Sequence, residues 1–385
     1  MTVYPRSSSL PVQNIKVWVL APLLETDDPE INYYYDFTDS IAEYEKAFAT
    51  LGIDWRWQPV TIKNYPTIIE QIAKEKFLGN KMPVVFNLCD GDEINGTPGI
   101  SVIRELEKHD LIYTGADKYF YKITTSKIPM KRAFDQAGVV TPKWKALRTN
   151  KVNVKNVFDQ LGSPVIVKPA VSGGSMGVGI KNVVYDQPAL ITLINEMFHG
   201  YHGWDLGADG LIAESFINGP EFTVLISGSY NNPEEAKIYT PVERVFHSSL
   251  PEDEKFLSFD RLWEIYKDET AMPNEANFFE YALPDSSLIE DIKKVSWDAY
   301  VATKGQGYTR VDVRMDKKTG KLFVLEVNAQ CGLSEDENYT SIGAILRISG
   351  NTFAELVVEI IADSLQRHSM KETVSANEKS KRRRA

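Results

Sequence analysis

Short apolar runs alternate with amphipathic stretches in the N-terminal part of the chain, and this alternation most restricts the possible folds. The apolar runs are Ile15–Leu20, Ile53–Val60 and Met82–Leu88, and each has the length of a buried strand. The stretches between them place apolar residues at helical spacing, and Gly52 is a typical helix end. The β-α-β-α-β order predicts an α/β domain with a parallel sheet and right-handed crossovers.

Two polar segments follow strands of this sheet at their carboxyl ends, where ligands of parallel sheets bind. One contains three consecutive tyrosines before an aspartate, and the other is NLCDGDEINGTPG, residues 87–99. Alternate residues of an extended segment face one side, so Tyr33 and Tyr35 are expected to act together. Asp36 or Asp90 would pair with an ammonium group of the substrate. Tyrosines that stack on the protein's own surface are the alternative.

The composition excludes several classes of protein. The 385 residues include 43 Lys plus Arg and 53 Asp plus Glu, and 43% are hydrophobic, as in ordinary folded proteins. The length predicts two or three domains, and the two cysteines indicate a reducing compartment. No apolar run is long enough for a membrane span, and the net acidity argues against nucleic-acid binding. We expect a cytoplasmic enzyme with small-molecule partners, no nucleic acid and no membrane. A homodimer stays open.

A glycine-rich segment at residues 165–180 is the strongest local signal of chemistry. The strand VIVK ends in Lys168, and the loop PAVSGGSMGVGI follows it. Glycines allow successive backbone N–H groups to point at one anion, and a lysine supplies a charge for phosphate. Neither a Walker loop nor a dinucleotide fingerprint matches, because no GK[ST] follows and no helix is indicated after the last glycine. A flexible β-hairpin loop is the alternative.

Four polar residues lie on two strands nearer the C-terminus. Arg310 and Asp312 share one strand face, as do Glu326 and Asn328. If the strands pair through the turn at Thr319–Gly320, three oxygen ligands and one guanidinium converge. Such a set suits Mg²⁺ on nucleotide phosphates. The alternative is a surface salt bridge, which the apolar neighbours of Glu326 disfavour because a buried carboxylate needs a partner.

A third segment, LIAESFINGPE, has Glu214 at the end of an apolar strand and Glu221 after a Gly-Pro turn. An edge strand of this kind offers main-chain groups to a purine, and a carboxylate binds ribose hydroxyls. An ordinary strand–turn–strand is the alternative. The histidines lack zinc-site spacing, and no GxSxG elbow is present. The basic C-terminal end, KSKRRRA, is expected to be a solvated terminus.

Taken in order, these segments resemble the ATP-grasp superfamily, and within it the D-alanine–D-alanine ligase-like branch of carboxylate–amine ligases. The resemblance covers about residues 15–365 and is weakest in the N-terminal third. The stretches that carry it are YTGADKYFYKITTSKIPMKRAFDQAGVVTP, VIVKPAVSGGSMGVGI, LIAESFINGPEFTVLISG, and GYTRVDVRMD with FVLEVNAQCGLS.

The resemblance implies an α/β fold, α+β in the ATP-grasp part, with three domains and ATP held between the central and C-terminal ones. The expected limits are 1–124 for an N-terminal substrate-side domain, 125–220 for a central domain and 221–368 for a C-terminal domain. Residues 369–385 would form a polar, basic tail.

The resemblance also implies roles for single residues. Those expected to bind ATP are Lys127, Lys168, Ser172, Gly173, Gly174, Ser175, Met176, Glu214, Ser215, Phe216, Ile217 and Glu221. Asp312, Glu326 and Asn328 would hold Mg²⁺, for which Mn²⁺ could substitute. Arg310 would steady the acyl phosphate and the tetrahedral intermediate, and Ser175 and Lys255 would complete the catalytic set. Lys255 lies in a candidate lid at residues 251–261, and Gly332 and Leu333 would contact the substrate.

Three departures from the family concern the substrate. The family's EREVS-like motif has no counterpart, its HGxxGEDG stretch is replaced by NLCDGDEINGTPG, and its SHSL-like loop by the longer LSEDENYTSIG. We therefore expect an ATP-dependent ligase that forms an amide through an acyl phosphate and releases ADP and phosphate. Its substrate would be a specialised amino acid or amino-acid-like carboxylate, larger or flatter than alanine. The alternatives are a D-alanine–D-alanine ligase proper, phosphoryl transfer without amide formation, and a non-catalytic nucleotide-binding protein.

Overall fold

Three β-sheets organise the computed structural model, which describes residues 14–28, 36–149, 154, 156–263, 269–270, 272, 276–336 and 340–384. The strands of the first sheet are β1 (Ile15–Pro22), β2 (Asp54–Val60), β3 (Met82–Asn87) and β4 (Ile112–Tyr113). They are all parallel, in the order β2-β1-β3-β4. The predicted α/β arrangement of the N-terminal part is confirmed.

Helices cover and follow this sheet, as the apolar spacing predicts. They are α1 (Thr38–Leu51), α2 (Tyr65–Leu78), α3 (Ile100–Lys108), α4 (Lys118–Thr125) and α5 (Lys127–Ala137). Gly52 ends α1 in the left-handed conformation, with φ of 65°, which glycine adopts without steric cost. At the other end, Asp36 Oδ1 accepts hydrogen bonds from the Thr38 amide and hydroxyl, at 2.9 and 2.6 Å.

The second sheet is antiparallel and lies in the middle of the chain. Its strands are β5 (Trp144–Leu147), β6 (Val165–Pro169), β7 (Val183–Val184) and β8 (Leu211–Ser215), and α6 (Val157–Leu161) and α7 (Gln187–His199) accompany them. The order is β5-β8-β6-β7, so β8 is internal, and the edge-strand prediction for LIAE is wrong. All four residues of LIAE are buried, because β8 has a partner on both sides.

The third sheet carries the predicted hairpin. Its strands are β9 (Glu221–Ser229), β10 (Lys237–Ile238), β11 (Val242–Phe246), β12 (Phe279–Ala282), β13 (Gln306–Met315) and β14 (Leu322–Ala329). The order is β12-β11-β9-β13-β14, with β10 on β9. β13 and β14 are antiparallel, Arg310 lies opposite Asn328, and Asp312 lies opposite Glu326. This confirms the predicted pairing of the two strands.

The first and third sheets share their hydrophobic cores, whereas the second has its own. One shared core joins Val85 of β3 to Val311 of β13, and another joins Phe86 to Leu225. Leu147 and Leu211 belong to a separate core. A sheet with its own core can shift relative to its neighbours. The domain limits stay a prediction, with the sheets inside residues 15–113, 144–215 and 221–329.

The C-terminal helix extends further than predicted. The helices of this part are α8 (Phe259–Trp263), α9 (Ile289–Ala302), α10 (Ser341–Ser349) and α11 (Phe353–Arg384). The expected tail begins at Ser369, but the backbone stays helical to Arg384 because no glycine or proline interrupts residues 353–385. Within the described chain, no helix combines the length and apolar character that a membrane span requires.

Candidate active site

A cavity of about 470 Å³ lies where the three sheets meet. The glycine-rich loop and Lys168 line it from the second sheet, and the ends of β13 and β14 line it from the third. The N-terminal domain contributes the beginning of α1, part of β2 and residues of the 88–97 segment. Contributions from all three sheets make this the place where nucleotide and substrate can meet.

A buried chain of ion pairs lies in the part of the cavity that the glycine-rich loop lines, which we call the nucleotide end. Glu214 is 1% exposed, and its carboxylate lies 2.6 Å from Lys131 Nζ and 3.0 Å from Lys168 Nζ. Burial alone would raise the pKa of Glu214, but the two ammonium groups outweigh it and hold this pKa at about 2. Burial also lowers the pKa of Lys131. The ionised Glu214 carboxylate therefore holds the Lys168 ammonium group in place beside the cavity.

Lys131 was missed by the sequence analysis. It lies one helical turn after Lys127, on the same face of α5, and its side chain is fully buried. A lysine on a basic helix is usually solvent-exposed, so nothing local distinguished it. The spacing from Lys127 was the one available signal.

The glycine-rich loop carries five predicted ATP contacts. Ser172, Gly173, Gly174, Ser175 and Met176 all line the cavity. The loop turns tightly, with the Met176 amide donating to the Gly173 carbonyl at 2.9 Å. Ser175 has a positive φ of 66°, which is uncommon for a residue with a side chain and marks a constrained turn. The loop connects the antiparallel neighbours β6 and β7, so it is a hairpin loop as the alternative has it, and its residues nevertheless line the cavity.

Lys127 connects this loop to the acidic hairpin. Its Nζ lies 3.4 Å from Glu326 Oε2 and 3.5 Å from the Ser172 hydroxyl. Burial would raise the pKa of Glu326, but Lys127, Lys168 and Arg310 together lower it. Glu326 is therefore ionised in this cluster, and the alternative of a surface salt bridge does not apply.

Asp312 is held on three sides at the end of the hairpin. Arg310 Nη2 lies 3.1 Å from its carboxylate, Asn328 Nδ2 donates to it at 2.9 Å, and the Thr223 hydroxyl donates at 3.0 Å. Asp312 is 7% exposed. These donors stabilise the charged carboxylate, but burial outweighs them and raises the pKa of Asp312 above its ordinary value.

The donor set fits Mg²⁺. Because the Asn328 nitrogen donates to Asp312, its carbonyl oxygen remains as a ligand. Two carboxylates and one amide oxygen are hard donors of the kind Mg²⁺ prefers, and water and phosphate oxygens normally complete the shell. Within the described residues no group of three or more His, Cys, Asp or Glu side chains could hold a metal. A cation here would accordingly depend on the nucleotide.

Glu221, predicted at the ribose, already has partners. Its carboxylate contacts the Arg244 guanidinium and lies 3.9 Å from Arg314, and all three residues line the cavity. Arg244 and Arg314 were missed, because arginines on alternating strand positions resemble solvent-facing residues. A hydroxyl ligand would have to share this carboxylate with the two guanidinium groups.

The predicted adenine hinge is only partly available to a ligand. Ser215 and Phe216 donate their amides to the carbonyls of Lys143 and Pro164, at 2.9 and 3.1 Å. These two N–H groups are already hydrogen-bonded within the protein and cannot bind a purine. Ser215, Phe216 and Ile217 still line the cavity, which leaves the Ile217 amide, the three carbonyls and the Phe216 ring for contact with a base.

The candidate lid at residues 251–261 packs on the glycine-rich loop, but Lys255 does not line the cavity. Lys255 Nζ donates to Glu252 Oε1 at 2.5 Å, since the two residues share one turn. The contacts to the loop come from Phe259, whose amide donates to the Val178 carbonyl at 2.8 Å, and from Trp263, whose indole N–H donates to the Gly174 carbonyl at 2.8 Å. The segment therefore packs on the loop, but Lys255 is not placed to contact a phosphate.

The predicted substrate residues divide into three groups. Asp90, Gly332 and Leu333 line the cavity. Asp36 does not, because it holds Thr38 at the start of α1, and Tyr33 and Tyr35 lie outside the described residues. Asp90 is exposed in the open cavity, but desolvation by the cavity walls raises its pKa to about 6, and the neighbouring Asp92 adds to this effect. Cys331 also lines the cavity. Burial raises the pKa of its thiol to about 12, so the thiol is not a nucleophile at neutral pH.

Comparison with known proteins identifies the arrangement. A family model described as the D-ala D-ala ligase C-terminus matches residues 133–362, more than half of the chain. D-Alanine–D-alanine ligase B of Xanthomonas campestris is 27% identical over 323 residues, 83% of this chain and 87% of that protein. The Polynucleobacter asymbioticus D-alanine–D-alanine ligase is 28% identical over 264 residues, 68% of each chain.

Solved structures show the same fold. The Bacillus anthracis D-alanine–D-alanine ligase complexed with ATP has a TM-score of 0.63 and 20% identity, covering 93% of this chain and 99% of its own. The Enterococcus faecalis VanG D-Ala:D-Ser ligase has a TM-score of 0.65 at 16% identity, covering 91% and 100%. The protein is an ATP-dependent carboxylate–amine ligase that forms a carbon–nitrogen bond, and the chain belongs to the D-alanine–D-alanine ligase family of ATP-grasp proteins.

Proposed function

We propose that the protein joins a specialised amino acid or amino-acid-like carboxylate to an amine, through an acyl phosphate, with release of ADP and phosphate. One observation carries the proposal: Glu326 lies opposite Asp312 across the hairpin and 3.4 Å from Lys127. Cations and carboxylates converge there on the same cavity as the glycine-rich loop. A protein that merely binds nucleotide has no need of such a charged cluster beside the phosphates.

In the first step, an oxygen of the substrate carboxylate attacks the γ-phosphorus of ATP. The bond from this phosphorus to the bridging oxygen breaks, and ADP leaves with the electron pair. Lys127, Lys168 and Arg310 would bind phosphate oxygens and neutralise the charge that develops on them. Mg²⁺ held by Asp312, Glu326 and Asn328 would add further charge neutralisation at the phosphates.

In the second step, the ammonium loses a proton to water, and the amine nitrogen attacks the acyl carbon. The carbon–oxygen bond to phosphate breaks, and phosphate leaves with the second proton from the nitrogen. Arg310 would stabilise the oxygen charge of the tetrahedral intermediate, and Asp90 would pair with the ammonium of the substrate before the reaction. Water must be kept out because it hydrolyses an acyl phosphate, and the contact between Trp263 and Gly174 supports closure over the loop.

D-alanine is the alternative substrate. The relatives named as D-alanine–D-alanine ligases support it, but they share only 27 to 28% identity with this chain. This chain lacks the family's EREVS, HGxxGEDG and SHSL motifs, and their absence favours a different carboxylate.

The test is a panel of L and D amino acids, supplied singly and in pairs, with ADP release and product mass measured. We expect ADP release that depends on both an acid and an amine, with a product heavier than the acid by the amine less water. ADP release with a phosphorylated product and no need for an amine would instead establish phosphoryl transfer. D-alanine as the best substrate would establish the alternative ligase.

A further inference from the structure

One end of the cavity is lined by residues that carry no charge at neutral pH. They come from the beginning of α1, from β2 and from the segment before and at the start of α10. These residues are Phe37, Ser40, Tyr44, Trp57, Leu333, Thr340 and Ser341, and we call them the neutral wall. The charged lining residues that would hold phosphate are Lys127 on α5, Lys168 on β6 and Arg310 on β13, so this wall faces a different part of the occupant.

The neutral wall presents flat aromatic surfaces. The Phe37 and Trp57 rings have centroids 5.5 Å apart, and the Tyr44 and Trp57 rings 5.7 Å apart. Tyr44 is fixed from behind by Phe86 and Phe353, with centroids at 5.5 and 5.2 Å. Rings that are held in place and share one wall bind planar groups without losing much conformational freedom.

The wall also contains buried polar atoms without a partner. Among the described residues, nothing accepts from or donates to the Tyr44 hydroxyl, the Trp57 indole N–H or the Ser341 hydroxyl. Tyr44 and Ser341 are 0% and 2% exposed. Burying a polar group without a hydrogen bond costs about 1–3 kcal/mol, so three such atoms at one end of a cavity indicate groups that a ligand satisfies.

The chemistry of these atoms defines the ligand. The indole N–H can only donate, and burial holds the pKa of Tyr44 well above its ordinary value of 10.0, so this hydroxyl stays protonated and donates. Donors without any cation are suited to an uncharged oxygen, since an anion at such a site would lack a counter-charge.

We propose that the neutral wall is a specificity site that selects a substrate with a flat, uncharged group bearing a hydrogen-bond-accepting oxygen, such as a ring carbonyl, ring hydroxyl or amide. This inference rests on the proposed function and specifies its substrate class. Phe37 contacts a face of the group, and Tyr44 and Trp57 bind its oxygen. Alanine has neither a flat group nor such an oxygen and leaves these donors unsatisfied.

Fragment binding tests the site without requiring turnover. The probes are benzamide, which is flat, neutral and oxygen-bearing, benzoate, which has the same shape with a negative charge, and fluorobenzene, which lacks a strong acceptor. Binding is measured by ligand-detected NMR on the full chain, with ADP present to fill the nucleotide end. We expect benzamide to bind about tenfold more tightly than either other probe, the effect of one satisfied hydrogen bond.

Three variants locate the binding. Tyr44→Phe and Trp57→Phe should each weaken benzamide about fivefold to tenfold and leave fluorobenzene within about twofold. Tyr308→Phe is the matched control, because Tyr308 is also fully buried with a hydroxyl that has no partner among the described residues but is not a lining residue. It should leave all probes unchanged.

The proposal is overturned by any of three results: benzoate binding as tightly as benzamide, benzamide binding unaffected by Tyr44→Phe and Trp57→Phe, or no benzamide binding at millimolar concentration. Its failure is distinguishable from failure of the ligase proposal. Amide formation in the substrate panel without benzamide binding would contradict the specificity site and support the ligase proposal. Benzamide binding without amide formation would support the specificity site and contradict the ligase proposal.

Discussion

The Glu43 carboxylate on α1 accepts a hydrogen bond of 2.6 Å from the Ser334 hydroxyl, which lies on the segment after β14. The same carboxylate accepts the backbone amides of Glu335 and Asp336, at 3.1 and 3.2 Å. Three donors from one short segment thus meet one side chain of the N-terminal domain. Glu43 therefore positions the segment that brings Leu333 to the cavity.

Glu43→Gln should raise the KM for the best substrate of the panel about tenfold, because an amide nitrogen replaces one of two acceptor oxygens in contact with N–H donors. The KM for ATP should stay unchanged, since the phosphate cradle lies on other elements. Steady-state kinetics with each substrate varied in turn make the measurement. Glu45→Gln, on an exposed position of the same helix, is the control. An equal rise in both KM values would contradict a role confined to the substrate side.

Glu326→Gln should lower kcat at least a hundredfold while the melting temperature changes little. The substitution keeps the size of the side chain and removes the charge that Lys127 neutralises and that a divalent cation would require. Activity is measured by ADP release and folding by thermal denaturation. Activity of the wild-type level in a folded variant would remove Glu326 from the catalytic cluster.

Lys131→Met should destabilise the protein by about 3 kcal/mol, because Glu214 then keeps only Lys168 as a counter-charge in a buried site. The measurement is the free energy of unfolding from a denaturant titration. Lys181→Met is the matched control: its pair with Glu196 is 3.6 Å long and exposed at 61% and 54%, so an effect near zero is expected. Similar losses in the two variants would show that burial of the Lys131 pair contributes nothing.

Asp90→Asn should stabilise the free protein at neutral pH by less than about 1 kcal/mol, since Asp90 is exposed in the open cavity, and the gain should disappear in acid. Desolvation raises the pKa of Asp90 from 3.8 to about 6, so the folded state disfavours the charged carboxylate. At pH ~3 the group is protonated in both states and the variant gains nothing, and the difference grows between pH ~4 and ~6 and is constant above that. Melting temperatures of both proteins from pH 4 to 8 test this. A difference in melting temperature that narrows as pH rises would contradict a raised pKa of Asp90.

Local sequence patterns were sufficient for the elements whose signal lies within one segment. The turn at Thr319–Gly320 predicted the pairing of β13 and β14, and the structure places Asp312 opposite Glu326. The glycines after Lys168 also predicted an anion-binding loop, because the close approach of a backbone to an anion needs residues without a side chain.

Features that depend on distant partners could not be predicted. Lys131 became a buried residue only because Glu214 lies beside it in space, and β8 became internal through pairing with β5 and β6. A strand's own residues do not specify which strands will flank it. Tyr44 shows the same limit: it is a core residue, and its hydroxyl, unpartnered among the described residues, is visible only in three dimensions.

The neutral wall has a consequence for how this protein could acquire new substrates. Its residues come from two stretches near opposite ends of the chain, 37–57 and 333–341, whereas the phosphate cradle comes from the residues between them. Tyr44, Leu333 and Ile342 nevertheless belong to one hydrophobic core. A volume change in one stretch is therefore felt in the other, and natural or laboratory evolution toward another substrate should proceed by paired exchanges at both ends, with the ATP-binding middle inherited intact.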